Sequence, residues 1–271
     1  MKTWIEEVFG VKKPVIGMCH LLPLPGDPYY DKKGGMKNVI EWARKDLNAL
    51  QNGGVDAVMF SNEFSMPYLT KVQTVTVASM AYIIGELIAD IRVPFGVDVI
   101  CDPIASLDLA AATGAKFVRG VFAGVFASDF GLWSPNCGEI VRHQRAIGAE
   151  NVKLFFNLIP EGSRYLGNRE VLDIVKSTAF HHRPDVICIS GLTAGSPVDT
   201  NVLRKVKAAI HDIPVFANTG VCLENVEEQL SIADGAIVGT AFKRDGKFEN
   251  HVDEKRVADF MDKVRSLRAE L

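Results

Sequence analysis

The chain has 271 residues, 48% hydrophobic and 23% charged, with 30 Lys and Arg against 33 Asp and Glu for a formal net charge of −3. That balance describes a globular chain with a large core and excludes both a disordered chain and a nucleic-acid binder with a dominant basic field. The longest stretch free of Asp, Glu, Lys and Arg, 72–85, is 14 residues, short of the roughly 20 that a membrane-spanning helix needs.

Glu6 and Glu7 stand where a secretion signal carries its apolar run, so no signal peptide is read. The segment before Pro14 is expected to form a short helix that either plugs the barrel described below or packs outside it. The five cysteines, Cys19, Cys101, Cys137, Cys188 and Cys222, include no C-x-x-C. They read as reduced thiols of a cytoplasmic protein.

Eight short apolar runs follow in order: 14–19, 55–60, 95–100, 116–119, 152–156, 185–189, 214–217 and 235–238. Each is apolar on both alternating faces, the pattern of strands covered on two sides in a parallel sheet. Amphipathic stretches alternate with them. In the first, Met36, Val39, Ile40, Ala43, Leu47 and Leu50 recur at helical steps. In the last, Val257, Phe260, Met261, Val264 and Leu267 do the same behind Asp253 as N-cap. Eight strand–helix units in a chain of this length predict an α/β fold, a single (β/α)8 TIM barrel over residues 1–271. A doubly wound open sheet is the alternative.

In such barrels chemistry collects at the C-terminal strand ends. The runs deliver there His20, then Ser61-Asn62-Glu63, Asp98 and Asp102, Arg119, Asn157, Ser190 and Thr193, Asn218-Thr219-Gly220, and Gly239-Thr240, while the opposite strand ends look bland. Backbone N–H groups of the last two turns commonly bind phosphate in barrels. Asn218, Thr219, Gly220, Gly239 and Thr240 are therefore the candidate phosphate site, against glycines that merely turn strand into helix. Lys243 is either a neutralising cation there or a solvated loop lysine.

His20, Glu63, Asp98 and Asp102 are the candidate catalytic residues. His20 reads as acid/base, metal ligand or structural histidine, and Glu63 as general base, metal ligand or exposed loop acid. Asp98, inside an apolar strand, reads as a site carboxylate or as the ion-pair partner of Arg119. Asp102, before Pro103, reads as a site carboxylate or a helix N-cap. Arg119, Asn157, Ser190 and Thr193 are the candidate substrate contacts, Arg119 as a clamp on an anion.

Three carboxylates and an imidazole suit Mg or Mn, so a divalent metal is a candidate cofactor, and no other is read. The sixth run has no lysine for a Schiff base, and neither a P-loop nor a G-x-G-x-x-G occurs. Three long loops, 20–35, 120–134 and 160–168, are candidate lids. Phe122, Phe126, Phe130 and Trp133 either stack on a ligand or form a satellite core. The expected partner is a phosphorylated small molecule, with a homo-oligomer as the candidate assembly and neither nucleic acid nor membrane as partner.

Several motifs together resemble the BtpA/SgcQ family, in its SgcQ-like branch. They are Met18-Cys19-His20-Leu21, Leu24-Pro25-Gly26-Asp27-Pro28, Gly53-Gly54-Val55-Asp56-Ala57, Ser61-Asn62-Glu63, Ser190-Gly191-Leu192-Thr193-Ala194-Gly195, Asn218-Thr219-Gly220-Val221 and Gly239-Thr240-Ala241-Phe242-Lys243. The resemblance implies a fold similar to ribulose-phosphate-binding barrels and a phosphate ligand. It also brings two labels, photosystem I biogenesis and a nucleoside triphosphatase linked to sugar metabolism. Where many members carry Asn in the third strand and Arg-Asn just after it, this chain has Asp98 and Cys101-Asp102.

Overall fold

The computed structural model describes residues 2–191 and 198–270. In chain order its elements are α1 (Trp4–Phe9), β1 (Val15–His20), α2 (Gly35–Gly53), β2 (Ala57–Ser61), α3 (Thr74–Leu87), β3 (Phe95–Asp98), α4 (Pro103–Thr113) and β4 (Phe117–Gly120). Next come β5 (Phe126–Ser128), β6 (Gly131–Trp133), α5 (Cys137–Ala146), β7 (Lys153–Asn157), β8 (Ser163–Tyr165), α6 (Val171–His182) and β9 (Val186–Ile189). The rest are α7 (Thr200–Ala209), β10 (Val215–Ala217), α8 (Val226–Ile232), β11 (Gly235–Val238) and α9 (Glu254–Ala269).

All eight predicted runs are strands of one sheet, in the order β1-β11-β10-β9-β7-β4-β3-β2. The sheet closes: Val15, Ile16 and Gly17 of the first strand pair in parallel with Ala236, Ile237 and Val238 of the last. That pairing is the difference between a barrel and the open doubly wound alternative, so the fold is the (β/α)8 barrel. No helix of the described residues is long and apolar enough to cross a membrane.

The short N-terminal helix is a plug. Thr3 and Glu6 form a capping box, with Glu6 N–H donating to Thr3 Oγ1 at 3.3 Å and Thr3 N–H donating to the Glu6 carboxylate at 2.9 Å. The helix turns Ile5 and Phe9 into the barrel interior, where they join Ile16, Met18, Phe117, Phe155, Phe216 and Ile237. Gly96 and Gly235 sit against the Phe117 and Phe216 rings, leaving room that a Cβ would fill.

The N-terminal strand ends are not bland. Asp56, Asp185 and Asp234 accept the backbone N–H of Val15, Leu154 and Val215 at 2.7, 2.9 and 2.8 Å, and they pair with Arg268, Lys153 and Lys207. Strand-edge donors at that end need acceptors, and these charges are structural.

Two of the predicted lids meet. Loop 120–134 contributes β5 and β6 and loop 160–168 contributes β8, forming a three-stranded antiparallel sheet in the order β6-β5-β8. Its aromatics form a satellite core: Phe126 packs on Trp133 and Tyr165, with ring centroids 6.1 and 5.4 Å apart, and Phe130 packs on Tyr68 at 5.5 Å. Phe122 instead stacks on Phe156 at 4.5 Å within the main core.

Candidate functional site

Five of the predicted site residues form one hydrogen-bonded chain across the barrel mouth. From β4, the Arg119 Nε and Nη2 donate to Asp98 Oδ2 at the end of β3, at 2.9 and 2.7 Å. Arg119 Nη1 donates to Asn218 Oδ1 beyond β10 at 2.9 Å. Asn218 Nδ2 then donates to Ser190 Oγ beyond β9 at 2.7 Å, and that hydroxyl donates to Asn157 Oδ1 at the end of β7 at 3.1 Å. Parallel strands ending at one rim bring together residues that are up to 120 positions apart in sequence.

Arg119 has two surroundings. It is paired with a carboxylate that is 4% exposed, and it also lines a cavity of about 340 Å³. Asp98 lies behind it, outside the cavity wall. Burial pushes the Asp98 carboxyl up against the opposing pull of Arg119. Asn157 and Ser190 hold Asn218 in place.

His20, Glu63, Asn218, Thr219, Gly220, Gly239 and Thr240 share that cavity. Gly220 has φ +64°, a left-handed turn that favours glycine. A Cβ on Gly239 would stand 3.2 Å from the His20 ring, so its absence keeps the turn open. Thr219 Oγ1 accepts Gly191 N–H at 2.7 Å, and Thr240 opens a 3-10 turn, Thr240–Phe242. Glu63 accepts the Ser61 hydroxyl at 2.7 Å, and its carbonyl accepts the Tyr68 hydroxyl at 2.8 Å.

His20 Nε2 lies 4.0 Å from the Glu63 carboxylate, while its Nδ1 is buried without a hydrogen-bond partner among the described residues. Burial, reinforced by Lys243 and Arg119, pushes the imidazole down to about 3. The ring is therefore neutral at pH 7, a hydrogen-bonding group rather than an imidazolium. The unfolded chain, with an ordinary histidine near pH 6.5, binds one more proton than the fold as pH drops below that value. Stability should fall by about 1.4 kcal/mol per pH unit there, or about 2 kcal/mol between pH 7 and 5. Urea unfolding of wild type and His20→Gln at both pH values measures this, and equal pH dependence in the two would refute it.

Two calls fall elsewhere. Asp102 is the N-cap of α4. Its Oδ1 accepts Ala105 N–H at 3.1 Å and its Oδ2 accepts Val72 N–H at 3.0 Å, outside the cavity, so the cap reading replaces the catalytic one. Lys243 is neither a phosphate cation nor solvated. It is fully buried, 2.7 Å from an equally buried Asp46 of α2. Thr193 lies outside the described residues.

The metal candidates do not converge. Asp98 is held by Arg119 and Asp102 caps a helix, and among the described residues no three His, Cys, Asp or Glu side chains are placed to hold an ion. Sequence reasoning missed Glu161, which lines the cavity from the loop after β7 with its Oε1 buried and without a hydrogen-bond partner among the described residues. Its signal was a carboxylate four residues past Asn157 in a predicted lid. It also missed Asp46, a charge set within the apolar stripe of α2.

The BtpA family model matches residues 11–266. The sgc region protein SgcQ of Escherichia coli (strain K12) is 60% identical over 266 residues, covering 98% of this chain and 99% of that one. The photosystem I biogenesis protein BtpA of Synechocystis sp. is 32% identical over 259 residues, covering 94% and 89%. Among solved structures, (S)-3-O-geranylgeranylglyceryl phosphate synthase from Thermoplasma acidophilum, in complex with sn-glycerol-1-phosphate, superposes with TM-score 0.59 at 17% identity over 99% of this chain and 100% of that one. The N-acetylmannosamine-6-phosphate 2-epimerase from Clostridium perfringens does so with TM-score 0.55 at 14% identity, covering 97% and 96%. These structural likenesses are of fold.

Proposed function

The chain belongs to the BtpA family, and from that premise we propose that it is an enzyme acting on a phosphorylated sugar or phosphoribosyl compound. The observation that carries this reading is the cavity itself. A half-buried guanidinium and a carboxylate face the open glycine turns after β10 and β11 across one space of about 340 Å³, at the small end of ligand pockets and suited to one phosphorylated monosaccharide. The solved barrels named above are a synthase bound to sn-glycerol-1-phosphate and an epimerase of N-acetylmannosamine-6-phosphate, which supports the class.

In this reading the phosphate lies against Thr219, Gly220, Gly239 and Thr240, reached by backbone N–H groups. Glu63 is the general base, oriented by Ser61. His20 is a neutral hydrogen-bonding group, and Arg119 balances negative charge on the substrate, kept in place by Asp98 and by the Asn218–Ser190–Asn157 relay.

A second reading, a non-catalytic phosphometabolite-binding or assembly factor, is favoured by the relative from Synechocystis sp., a photosystem I biogenesis protein. Metal-dependent phosphohydrolysis is the reading the donor geometry supports least. A cytoplasmic location rests on the free thiols, four of them buried. A homo-oligomer, supported by the exposed Val75 and Tyr82 two turns apart on α3, would be read by sedimentation velocity, where a monomer would count against it.

The test compares ribose 5-phosphate with ribose in thermal unfolding and calorimetry, followed by an assay for turnover. The phosphate ester alone should stabilise wild type, and Gly239→Ala should weaken its binding about tenfold, roughly 1.4 kcal/mol. Equal stabilisation by the two sugars, or by neither, sinks the proposal. Stabilisation without turnover favours the binding factor.

A further inference from the structure

The cavity holds a second carboxyl for which the reading above gives no task. Glu161 enters from the loop after β7 and Glu63 from the loop after β2, three places apart around the eight-stranded rim. Both lie within electrostatic reach of the Arg119 guanidinium. Their surroundings differ. Glu63 has a Ser61 hydroxyl on one oxygen, and 22% of its side chain is exposed. Glu161 has a buried oxygen with no donor among the described residues, an arrangement that costs free energy unless a proton or a ligand hydroxyl fills it. Burial pushes the Glu161 carboxyl up and nearby Glu63 adds to this, while Arg119, the residue's own backbone N–H and the Ser190 hydroxyl pull the other way. Two carboxyls in unlike environments across one small cavity are the arrangement of an acid and a base.

We propose that Glu161 is the acid partner of Glu63 in proton transfer at the carbonyl end of an aldose or ketose phosphate. The proposal rests on the phosphate-site reading above and narrows it to isomerisation or epimerisation. The Glu63 carboxylate takes the proton from the hydroxyl-bearing carbon beside the carbonyl. The C–H electron pair becomes the C=C bond of an enediol, and the carbonyl oxygen takes the proton of the Glu161 carboxyl. In the return step Glu63 delivers its proton to the former carbonyl carbon. The Glu161 carboxylate removes the proton of the other enediol hydroxyl, whose oxygen becomes the new carbonyl. Both carboxyls end as they began, and no oxidant or reductant is consumed. Arg119 faces the negative charge that grows on the enediol oxygens. Glycosyl-bond hydrolysis also uses two carboxyls, but a cavity of about 340 Å³ matches one phosphorylated monosaccharide better than a glycoside of two sugars.

The full-length protein is incubated with ribose 5-phosphate or fructose 6-phosphate in D2O, and proton NMR follows deuterium entry at the carbon beside the carbonyl. Calorimetry on the same samples reads binding. Wild type should exchange. Glu161→Gln, with an unchanged thermal midpoint, should exchange roughly 10²–10⁴-fold more slowly while binding the probe within about threefold of wild type. Glu161→Asp should recover part of the rate. Exchange at the wild-type rate in Glu161→Gln overturns the assignment. Binding of either probe without exchange by wild type overturns proton transfer and leaves the phosphate site standing. No binding of either probe removes the phosphate site and the proposal with it.

Discussion

Lys243→Met is expected to destabilise the protein by about 3–5 kcal/mol, the cost of leaving one buried charge without its partner. Neither Lys243 nor Asp46 is exposed, and they meet at 2.7 Å. The other Asp46 oxygen accepts Val252 N–H at 3.1 Å and contacts His251 Nδ1 at 2.7 Å, and Trp42 stacks on that imidazole at 3.6 Å. One carboxylate thus ties both ends of the loop 243–252, which are also joined by the Lys243–Val252 bridge. The loop carries Phe248 to the cavity, with its ring 5.5 Å from His20 and 4.8 Å from Phe64.

The urea midpoint should fall with an unchanged slope. The double variant Asp46→Leu/Lys243→Met should regain part of the loss, because an apolar pair of similar volume often replaces a buried ion pair at little cost. The regain stays partial, since Val252 N–H and His251 still lose their acceptor. A single variant within about 1 kcal/mol of wild type would contradict the buried pair.

The second large effect is at Arg119. Arg119→Met leaves Asp98 buried and unpaired, and about 3–5 kcal/mol of stability should go at pH 7. The sign of the pH dependence identifies the cause. Without its cation, the Asp98 carboxyl is raised by burial, so the folded variant binds a proton that the unfolded chain releases. The destabilisation is full at neutral pH and is relieved as pH falls. Relative to wild type the variant should therefore recover as pH falls from 7 toward the ordinary carboxylate range near 4, and Arg119→Met/Asp98→Asn should show no such recovery. Ribose 5-phosphate binding should weaken at least 100-fold, roughly 2.7 kcal/mol, as expected for loss of a buried charged contact. Unchanged affinity would remove Arg119 from the ligand site, and a flat pH response would remove Asp98 as its dependent partner.

Much of the rim was legible because of one regularity. A strand covered on both faces is apolar throughout, so the first polar residue after it marks the C-terminal end. That rule found His20, Arg119, Asn157, Ser190 and Asn218 without any knowledge of their neighbours. Asp102 shows its limit. A carboxylate before proline reads equally as cap or as site, and only the donors at Ala105 and Val72 decide between them. Glu161 was hidden for a different reason. It lies in a loop whose course depends on antiparallel pairing with loop 120–134, a contact with no periodic signature.

Strand and helix periods, with their count of eight, were enough for the barrel layers, because burial on one face or two is written into nearest-neighbour patterns. Family membership was likewise carried by short motifs in order. Closure of β1 onto β11, the plugging of the interior by Ile5 and Phe9, and the burial of Lys243 on Asp46 were decided in three dimensions. Each is a pairing between distant segments. For Lys243 the local sequence is the same whether the ammonium meets water, a phosphate or a buried carboxylate. The free energy that selects among them comes from the partner across α2, which no window around residue 243 contains.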